Sequence, residues 1–338
     1  MTRIMLSDED VRTIHGLLSE IITQYRDTDE SSFLSNVGVY AHELPRNLRC
    51  HINRFRLAED SAVLLVSGFP IDEKALGPTP EHLRDAQLPL HEVEEELLFT
   101  LVASLLGDVI GWSSQHGGRI IHDVFPVRAH ALEQIGTGSE QLIWWHTEDA
   151  FHDLRGDYVG LMCLRNPDGI ATTVCPMDRI SLTKQQIQVL FQPLFIIRPD
   201  ESHQRKNAVG VCLSDGQPDP KFARIEEMAR NPKKVAVLSG ALDDPYIRID
   251  PYFMEPAAEP EARQAMAELI RSIDEQIQEL VLAQGDICFI DNYRAVHGRK
   301  PFKARYDGKD RWLKRINVTR DLRKSRGERA SPLSRIIA

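Results

Sequence analysis

The sequence lacks the features that define several large classes of protein. Its five cysteines are odd in number, widely spaced and contain no CxxC pair, which disfavours a disulfide framework or a cysteine zinc site. The first residues lack the apolar core of a signal peptide, and no apolar run in the chain approaches the roughly 20 residues of a membrane helix. These absences predict a cytoplasmic protein with reduced thiols and no membrane partner.

An excess of basic residues is also missing. The formal net charge is −9, which argues against nucleic acid or an anionic membrane as the main partner. The apolar share of 42% and the charged share of 27% are typical of globular proteins. We interpret residues 1–338 as a single domain with a small-molecule partner, and a homo-oligomer is compatible with the sequence.

The hydrophobic pattern divides the chain into two parts. Helical spacing prevails in residues 1–110, and Ser7 with Asp10 resembles a capping box at the start of the first helix. Beyond about residue 119, short apolar runs separated by turn residues predict the strands of a sandwich or barrel. Three further predictions concern single segments: a helix over 92–110, a helix over 258–284 with Gly285 as its C-cap, and a lid at about 200–222.

A candidate metal site comes from His146, Glu148 and His297. Residues i and i+2 of a strand face the same side, so His146 and Glu148 could meet one ion. His297 would complete a 2-His-1-carboxylate triad, which suits non-haem Fe(II) and oxygen chemistry. Composition alone produces His-x-acid pairs, so a structural histidine beside a surface glutamate is the alternative.

Two arginines follow His297 in a segment that alternates like a strand. Arg311 and Arg315 would share one face, about 13 Å apart at about 3.3 Å per residue. Buried guanidinium groups need anions and match carboxylates with two parallel hydrogen bonds. The pair therefore predicts binding of two carboxylates, with structural ion pairs to Asp or Glu as the alternative.

Taken together, these segments resemble a known family. The motifs run from about residue 112 to 320 and comprise His146-Thr-Glu-Asp-Ala-Phe-His152, Asp157-Tyr-Val-Gly-Leu, Leu164-Arg-Asn-Pro-Asp-Gly, Ala171-Thr-Thr, Asp291-Asn-Tyr-Arg-Ala-Val-His-Gly-Arg and Arg311-Trp-Leu-Lys-Arg. They are similar to the clavaminate-synthase-like Fe(II)/2-oxoglutarate dioxygenases, in the branch that hydroxylates free basic amino acids. The resemblance implies an α+β, mainly β fold: a cupin-like double-stranded β-helix, or jelly roll, over 111–320, flanked by helices over 1–110.

The resemblance also implies roles for individual residues. It implies that His146, Glu148 and His297 are catalytic and hold Fe(II), to which O2 and 2-oxoglutarate also bind. The remaining implied contacts are Arg311 with Thr173 or Thr172 for 2-oxoglutarate, Arg315 for the α-carboxylate of the substrate, and Gln115, Ser139 and Glu148 beside the substrate. Related halogenases carry a small residue in place of the metal carboxylate, so Glu148 favours hydroxylation, with succinate and CO2 as co-products. Asp149 and His152 are interpreted as structural.

The choice of substrate depends on Asp250 and Tyr252. They lie where related arginine hydroxylases carry two acids, and one carboxylate with a phenol suits a compact ammonium better than a planar guanidinium. We therefore expect hydroxylation of L-lysine at C4 or C3, with L-arginine or L-citrulline as the alternative. A structural role for Asp250, a non-catalytic cupin-like binding protein and a zinc hydrolase remain open interpretations.

Overall fold

The computed structural model describes residues 1–83, 92–204 and 220–338. The helices in these ranges are α1 (Asp8–Gln24), α2 (Ser31–Ala41), α3 (Arg46–Ala58), α4 (Glu73–Leu76), α5 (Val93–Ser104), α6 (Lys184–Leu190), α7 (Pro220–Arg230) and α8 (Pro260–Gln276). Within these ranges, no helix combines the length and the apolar character that crossing a bilayer requires. Most of the predicted lid at 200–222 lies outside the described residues.

The strands are short, as the turn-rich pattern predicts. They are β1 (Thr2–Met5), β2 (Val63–Ser67), β3 (Asp108–Trp112), β4 (Ile121–Val124), β5 (Ile143–His146), β6 (Tyr158–Arg165), β7 (Thr172–Pro176), β8 (Phe195–Ile197), β9 (Lys234–Val235), β10 (Leu238–Gly240), β11 (Pro245–Ile247), β12 (Met254–Glu255), β13 (Gln278–Leu280), β14 (Ile287–Asp291), β15 (Ala295–Arg299), β16 (Trp312–Thr319) and β17 (Ile336–Ile337). The mixture of helices and sheets agrees with the predicted fold class.

Two sheets carry most of these strands. The larger sheet has the order β1-β2-β14-β6-β16-β3-β17, with β4 beside β16, and the smaller has the order β13-β7-β15-β5. One buried apolar cluster contains Leu161 and Leu313 of the larger sheet and Val174 and Ala295 of the smaller one. The two sheets therefore lie face to face, with part of the core between them.

Helices cover the outer faces of both sheets. The side chains of α1, α2, α3 and α5 pack into one large cluster with β2, β6 and β14, while α6 and α8 cover the smaller sheet. Helix α1 begins as predicted, because Ser7 and Asp10 form both hydrogen bonds of a capping box. The helical flank thus buries the face of the larger sheet that points away from the smaller one.

Two predicted helices end earlier than expected. Helix α5 stops at Ser104 and β3 follows it. A Cβ at the intervening Gly107 would lie 2.3 Å from the carbonyl oxygen of Thr319, so close backbone approach ends the helical run. Helix α8 stops at Gln276, and β13 pairs with β7 instead of continuing the helix. Gly285 is therefore not a C-cap, and its positive φ of 82° belongs to the turn before β14.

Candidate active site

One cavity between the two sheets collects most of the predicted site residues. Its volume is about 900 Å3, including the mouth. The predicted residues in its lining are His146, Glu148, Thr172, Asp250, Tyr252, His297, Arg311 and Arg315. A concave site with a few converging polar groups is typical of small-molecule binding.

The three predicted metal ligands meet at one point of this cavity. His146 ends β5 and pairs directly with His297 on the neighbouring β15. The Oε2 atom of Glu148 lies 3.7 Å from Nε2 of His146 and 3.2 Å from Nε2 of His297. Two ligand atoms about 2.1 Å from one ion and at right angles are about 3 Å apart. The spacing therefore fits three ligands on one side of a single ion.

The prediction that one strand carries both His146 and Glu148 was wrong. Strand β5 ends at His146, and Glu148 lies in the turn that follows. Its backbone N–H donates to Oδ1 of Asn292 at 2.7 Å, and Nδ2 of Asn292 donates to the Glu148 carbonyl oxygen at 3.0 Å. The side-chain amide of Asn292, on the turn between β14 and β15, therefore holds the carboxylate beside the two histidines.

The histidines present the correct nitrogen atoms for an ion. Nδ1 of His146 lies 2.8 Å from the carbonyl oxygen of Trp144 and donates to it, which leaves Nε2 free to bind metal. The backbones of β5 and β15 also approach closely beside His297. A Cβ at Gly298 would lie 2.6 Å from the carbonyl oxygen of Ile143, so a glycine is required there.

The charges of the cluster favour a cation. Burial raises the pKa of Glu148, but Arg315 and the two histidines outweigh burial and hold that pKa well below its usual range. Burial lowers the pKa of His146, but Glu148 and Asp250 outweigh it and raise that pKa to about 9. The carboxylates therefore draw positive charge to His146, whereas burial lowers the pKa of His297. A divalent ion would supply the positive charge that the carboxylates attract.

Arg315 contacts the metal cluster directly. Its Nη1 donates to Oε1 of Glu148, and its Nη2 donates to Oε1 of Gln115 at 3.2 Å and to Nδ1 of His122 at 2.7 Å. The alternative of a structural ion pair is thus realised with Glu148. Gln115 does not line the cavity but bonds to a residue that does, so its predicted contact with substrate would be indirect.

Arg311 differs from Arg315 in its partners. The guanidinium is buried and donates to Oγ1 of Thr172 at 3.2 Å, its Nε has no partner, and no acidic group pairs with it among the described residues. Burial lowers its pKa to about 10. Successive residues of a strand face opposite sides, and only Thr172 of the two predicted threonines lines the cavity. The structure thus places Thr172, and not Thr173, in the cavity wall.

The predicted substrate contacts lie in different places. Asp250 is buried in the cavity wall, where burial raises its pKa to about 6, and Tyr252 is half exposed in the same wall. Ser139 is absent from the lining. Its backbone N–H donates to the Ala131 carbonyl oxygen at 3.3 Å, and its hydroxyl lies 3.5 Å from that of Tyr306. The structure therefore does not bring Ser139 to the cavity.

The cavity contains four polar residues that the sequence analysis did not name individually: Gln134, Asp200, Ser202 and Arg299. Asp200 and Ser202 lie at the start of the predicted lid but belong to no recognisable motif. Arg299 follows His297 by two residues on β15, so strand periodicity could have placed it in the cavity. Its guanidinium donates to the carbonyl oxygens of Gly138 at 2.5 Å and Gln141 at 3.2 Å.

The comparisons with known proteins agree with this geometry. Residues 55–317 match the model of the family described as taurine catabolism dioxygenase TauD, TfdA family. The chain belongs to this family. Enduracididine beta-hydroxylase of Streptomyces hygroscopicus is 43% identical to it, and L-ornithine/L-arginine 3-hydroxylase of Catenulispora acidiphila is 41% identical. Each alignment covers 100% of both chains.

A solved structure shows the same fold with ligands. The non-haem iron oxygenase OrfP in complex with Fe, succinate and (3S)-hydroxy-L-Arg has a TM-score of 0.95, 41% identity and 100% coverage of both chains. An L-lysine 3-hydroxylase of Catenulispora acidiphila is less similar, at 29% identity over 97% of this chain and 87% of its own length. The predicted resemblance to clavaminate-synthase-like enzymes is confirmed, since clavaminate synthase 2 of Streptomyces clavuligerus also matches. The protein is an iron- and 2-oxoglutarate-dependent dioxygenase that uses O2.

Proposed function

We propose that this dioxygenase hydroxylates a free basic amino acid at C3, with L-arginine as the preferred substrate. Two full-length relatives at 43% and 41% identity are named for hydroxylation at the beta or 3 position, one of them of ornithine and arginine. The lysine hydroxylase is more distant, at 29% identity. Similarity therefore favours the arginine alternative over lysine, and C3 over C4.

The observation that carries the proposal is the pair of carboxylates in the cavity wall. Asp250 and Asp200 both line the cavity, and the charge of Asp200 contributes to the raised pKa of Asp250. The preference for lysine assumed that Asp250 acts with Tyr252 alone. Asp200 supplies a second carboxylate beside Asp250. Two acids can accept the several N–H donors of a planar guanidinium, so these residues no longer favour lysine over arginine.

The other residues of the cavity divide the remaining tasks. His146, Glu148 and His297 would hold the iron, Arg311 with Thr172 would bind the distal carboxylate of 2-oxoglutarate, and Arg315 would bind the α-carboxylate of the substrate. When bound, iron and 2-oxoglutarate supply the oxidising chemistry, with succinate and CO2 as co-products. The protein orients C3 toward the iron and excludes water. We also infer that the two facing sheets form a jelly-roll core.

Substrate turnover tests the proposal directly. The purified protein is incubated with Fe(II), 2-oxoglutarate and ascorbate, and with L-arginine, L-ornithine, L-citrulline or L-lysine in parallel. We expect arginine-dependent succinate in equal amount to a product with one added oxygen atom, located at C3 by NMR. Faster turnover of lysine than of arginine would reject arginine as the preferred substrate. Binding of arginine without succinate would reject hydroxylation of arginine.

Substitution of Asp250 tests the recognition model. In Asp250→Asn the charge is lost but the shape is kept, and a hydrogen bond to a charged group is worth about 1.5–3 kcal/mol, so the KM for arginine should rise about 10- to 100-fold. Tyr252→Phe, in the same wall but half exposed, is the matched control and should change that KM far less. An unchanged KM in Asp250→Asn would remove Asp250 from the model.

A further inference from the structure

A buried Asp–His pair lies at the wall of the cavity, which Asp149 lines, and has no role in the function proposed so far. Oδ1 of Asp149 lies 3.0 Å from Nε2 of His203, and the exposed fractions of the two residues are 3% and 0%. Asp149 directly follows Glu148, and its φ of 51° is in the left-handed region. A non-glycine residue in that region is uncommon and is held there by its surroundings.

Further hydrogen bonds complete this pair. Oδ2 of Asp149 accepts from Nε1 of Trp112 at 2.7 Å, and Nδ1 of His203 lies 2.7 Å from Oγ of Ser114. The rings of Trp112 and Phe151 pack edge-on against His203, with centroids 5.5 and 4.9 Å away. Both ring nitrogens of His203 are therefore hydrogen-bonded to protein groups. These bonds are sufficient to explain why Asp149, His203 and Ser114 lie together.

The same histidine ends the short turn that carries Asp200. The backbone N–H of His203 donates to the Asp200 carbonyl oxygen at 3.4 Å. Oδ1 of Asp200 accepts from the N–H and the hydroxyl of Ser202 at 2.8 and 2.5 Å. Oγ of Ser202 in turn accepts from Nε2 of Gln115 at 2.5 Å, and Gln115 accepts from Arg315. The turn is thus attached at one end to Arg315 and at the other to Asp149.

We infer that His203, bonded to Asp149, is a positioning residue that holds Asp200 against the cavity and so sets the affinity for a cationic substrate. The inference rests on the proposed function, because it assigns Asp200 to the charged end of a basic amino acid. Asp149, which directly follows Glu148, thereby connects the position of the substrate to the position of the metal ligands. His203 does not touch the substrate, and its effect passes through Asp200.

Two substitutions of His203 test this role. His203→Leu removes the bonds to Asp149 and Ser114, while His203→Gln keeps a side-chain amide that can donate to Asp149. We expect His203→Leu to raise both the KM and the calorimetric Kd for L-arginine about 10-fold, as loss of a positioned charged hydrogen bond would. The kcat and the KM for 2-oxoglutarate should change less than about twofold, and His203→Gln should recover part of the affinity.

The matched control is His152→Leu. His152 is another buried histidine, with its ring 4.6 Å from that of Trp112. Its Nδ1 accepts from the N–H of Leu154, and its side chain makes no hydrogen bond to Asp149 among the described residues. The bond between the two residues runs from the backbone N–H of His152 to the Asp149 carbonyl oxygen at 2.9 Å, and the leucine variant keeps it. Loss of a buried polar side chain should lower the melting temperature of both leucine variants. Only the variant at position 203 should weaken arginine binding.

A double substitution shows whether the effect passes through Asp200. In the Asp200→Asn background, His203→Leu should raise the KM for arginine by much less than it does in the wild type. Equal effects in both backgrounds would overturn the inference, as would a folded His203→Leu variant with wild-type KM and Kd, or a folded His203→Gln variant that binds arginine no more tightly than His203→Leu. Failure of the wild-type protein to bind any basic amino acid would instead overturn the proposed function, so the two failures are distinguishable.

Discussion

Replacement of Arg311 by methionine should have opposite effects on ligand binding and on stability. Arg311 is buried, and its bonded partner among the described residues is the neutral hydroxyl of Thr172. The guanidinium therefore fills its hydrogen-bond donors only when an anion is bound beside it. Methionine has a similar length and no charge, so the variant removes the anion site while keeping the side chain's apolar volume.

The magnitude follows from the burial of the charge. Burial lowers the pKa of Arg311 from 12.5 to about 10, which corresponds to about 3 kcal/mol against the charged form at about 1.4 kcal/mol per pKa unit. We expect Arg311→Met to raise the free energy of unfolding of the ligand-free protein by up to about 3 kcal/mol. Two hydrogen bonds between charged groups are worth about 3 kcal/mol or more, so the Kd for 2-oxoglutarate should rise about 100-fold or more.

Urea unfolding and calorimetric titration with 2-oxoglutarate measure the two effects. Arg165→Met is the matched control, because Arg165 is also buried but has a complete set of partners: the carboxylate of Glu73, Oγ1 of Thr79 at 2.9 Å and the Gly77 carbonyl oxygen at 2.7 Å. The control should lose stability and keep its affinity for 2-oxoglutarate. Wild-type affinity in Arg311→Met, or a loss of stability equal to that of the control, would refute the reasoning.

Three further predictions concern neighbouring residues. Thr172→Val should raise the KM for 2-oxoglutarate about fivefold, since a neutral hydrogen bond is worth about 1 kcal/mol. Thr173→Val is the control and should leave that KM unchanged, so equal effects would contradict the assignment of Thr172. Lys314→Met should lower the free energy of unfolding in urea by about 3–5 kcal/mol, because three carboxylates within 2.8 Å of Nζ lose a shared positive charge. A smaller loss than that of an exposed lysine variant would reject the buried cluster. Glu148→Gly should weaken iron binding about 100-fold or more and abolish hydroxylation, and hydroxylation at the wild-type rate would show that the carboxylate is not an iron ligand.

Local sequence signals predicted what depends on neighbours in the chain. The capping box at Ser7 and Asp10 begins α1 as expected, and the shared face of Arg311 and Arg315 follows from strand alternation and is found in the cavity wall. The C-terminal end of α8 was predicted too late, because pairing of β13 with β7 overrides the helical pattern beyond Gln276. Such pairing is a long-range contact that periodicity does not contain.

The residue types of the site were determined by the sequence alone. A histidine-x-glutamate motif, a distant histidine and two arginines in alternation indicate metal and carboxylate chemistry, because ligand type follows from the donor atoms. The resemblance of the longer motifs to a known family then implied iron and 2-oxoglutarate. Tertiary structure decided which neighbours complete the site. It turned Glu148 inward through Asn292, placed Thr172 but not Thr173 in the cavity wall and left Ser139 outside it. It also brought Asp200, a residue without a motif, into the wall that contains Asp250. Substrate choice depends on how many charges converge on one cavity, and convergence of distant segments exists only in the folded chain.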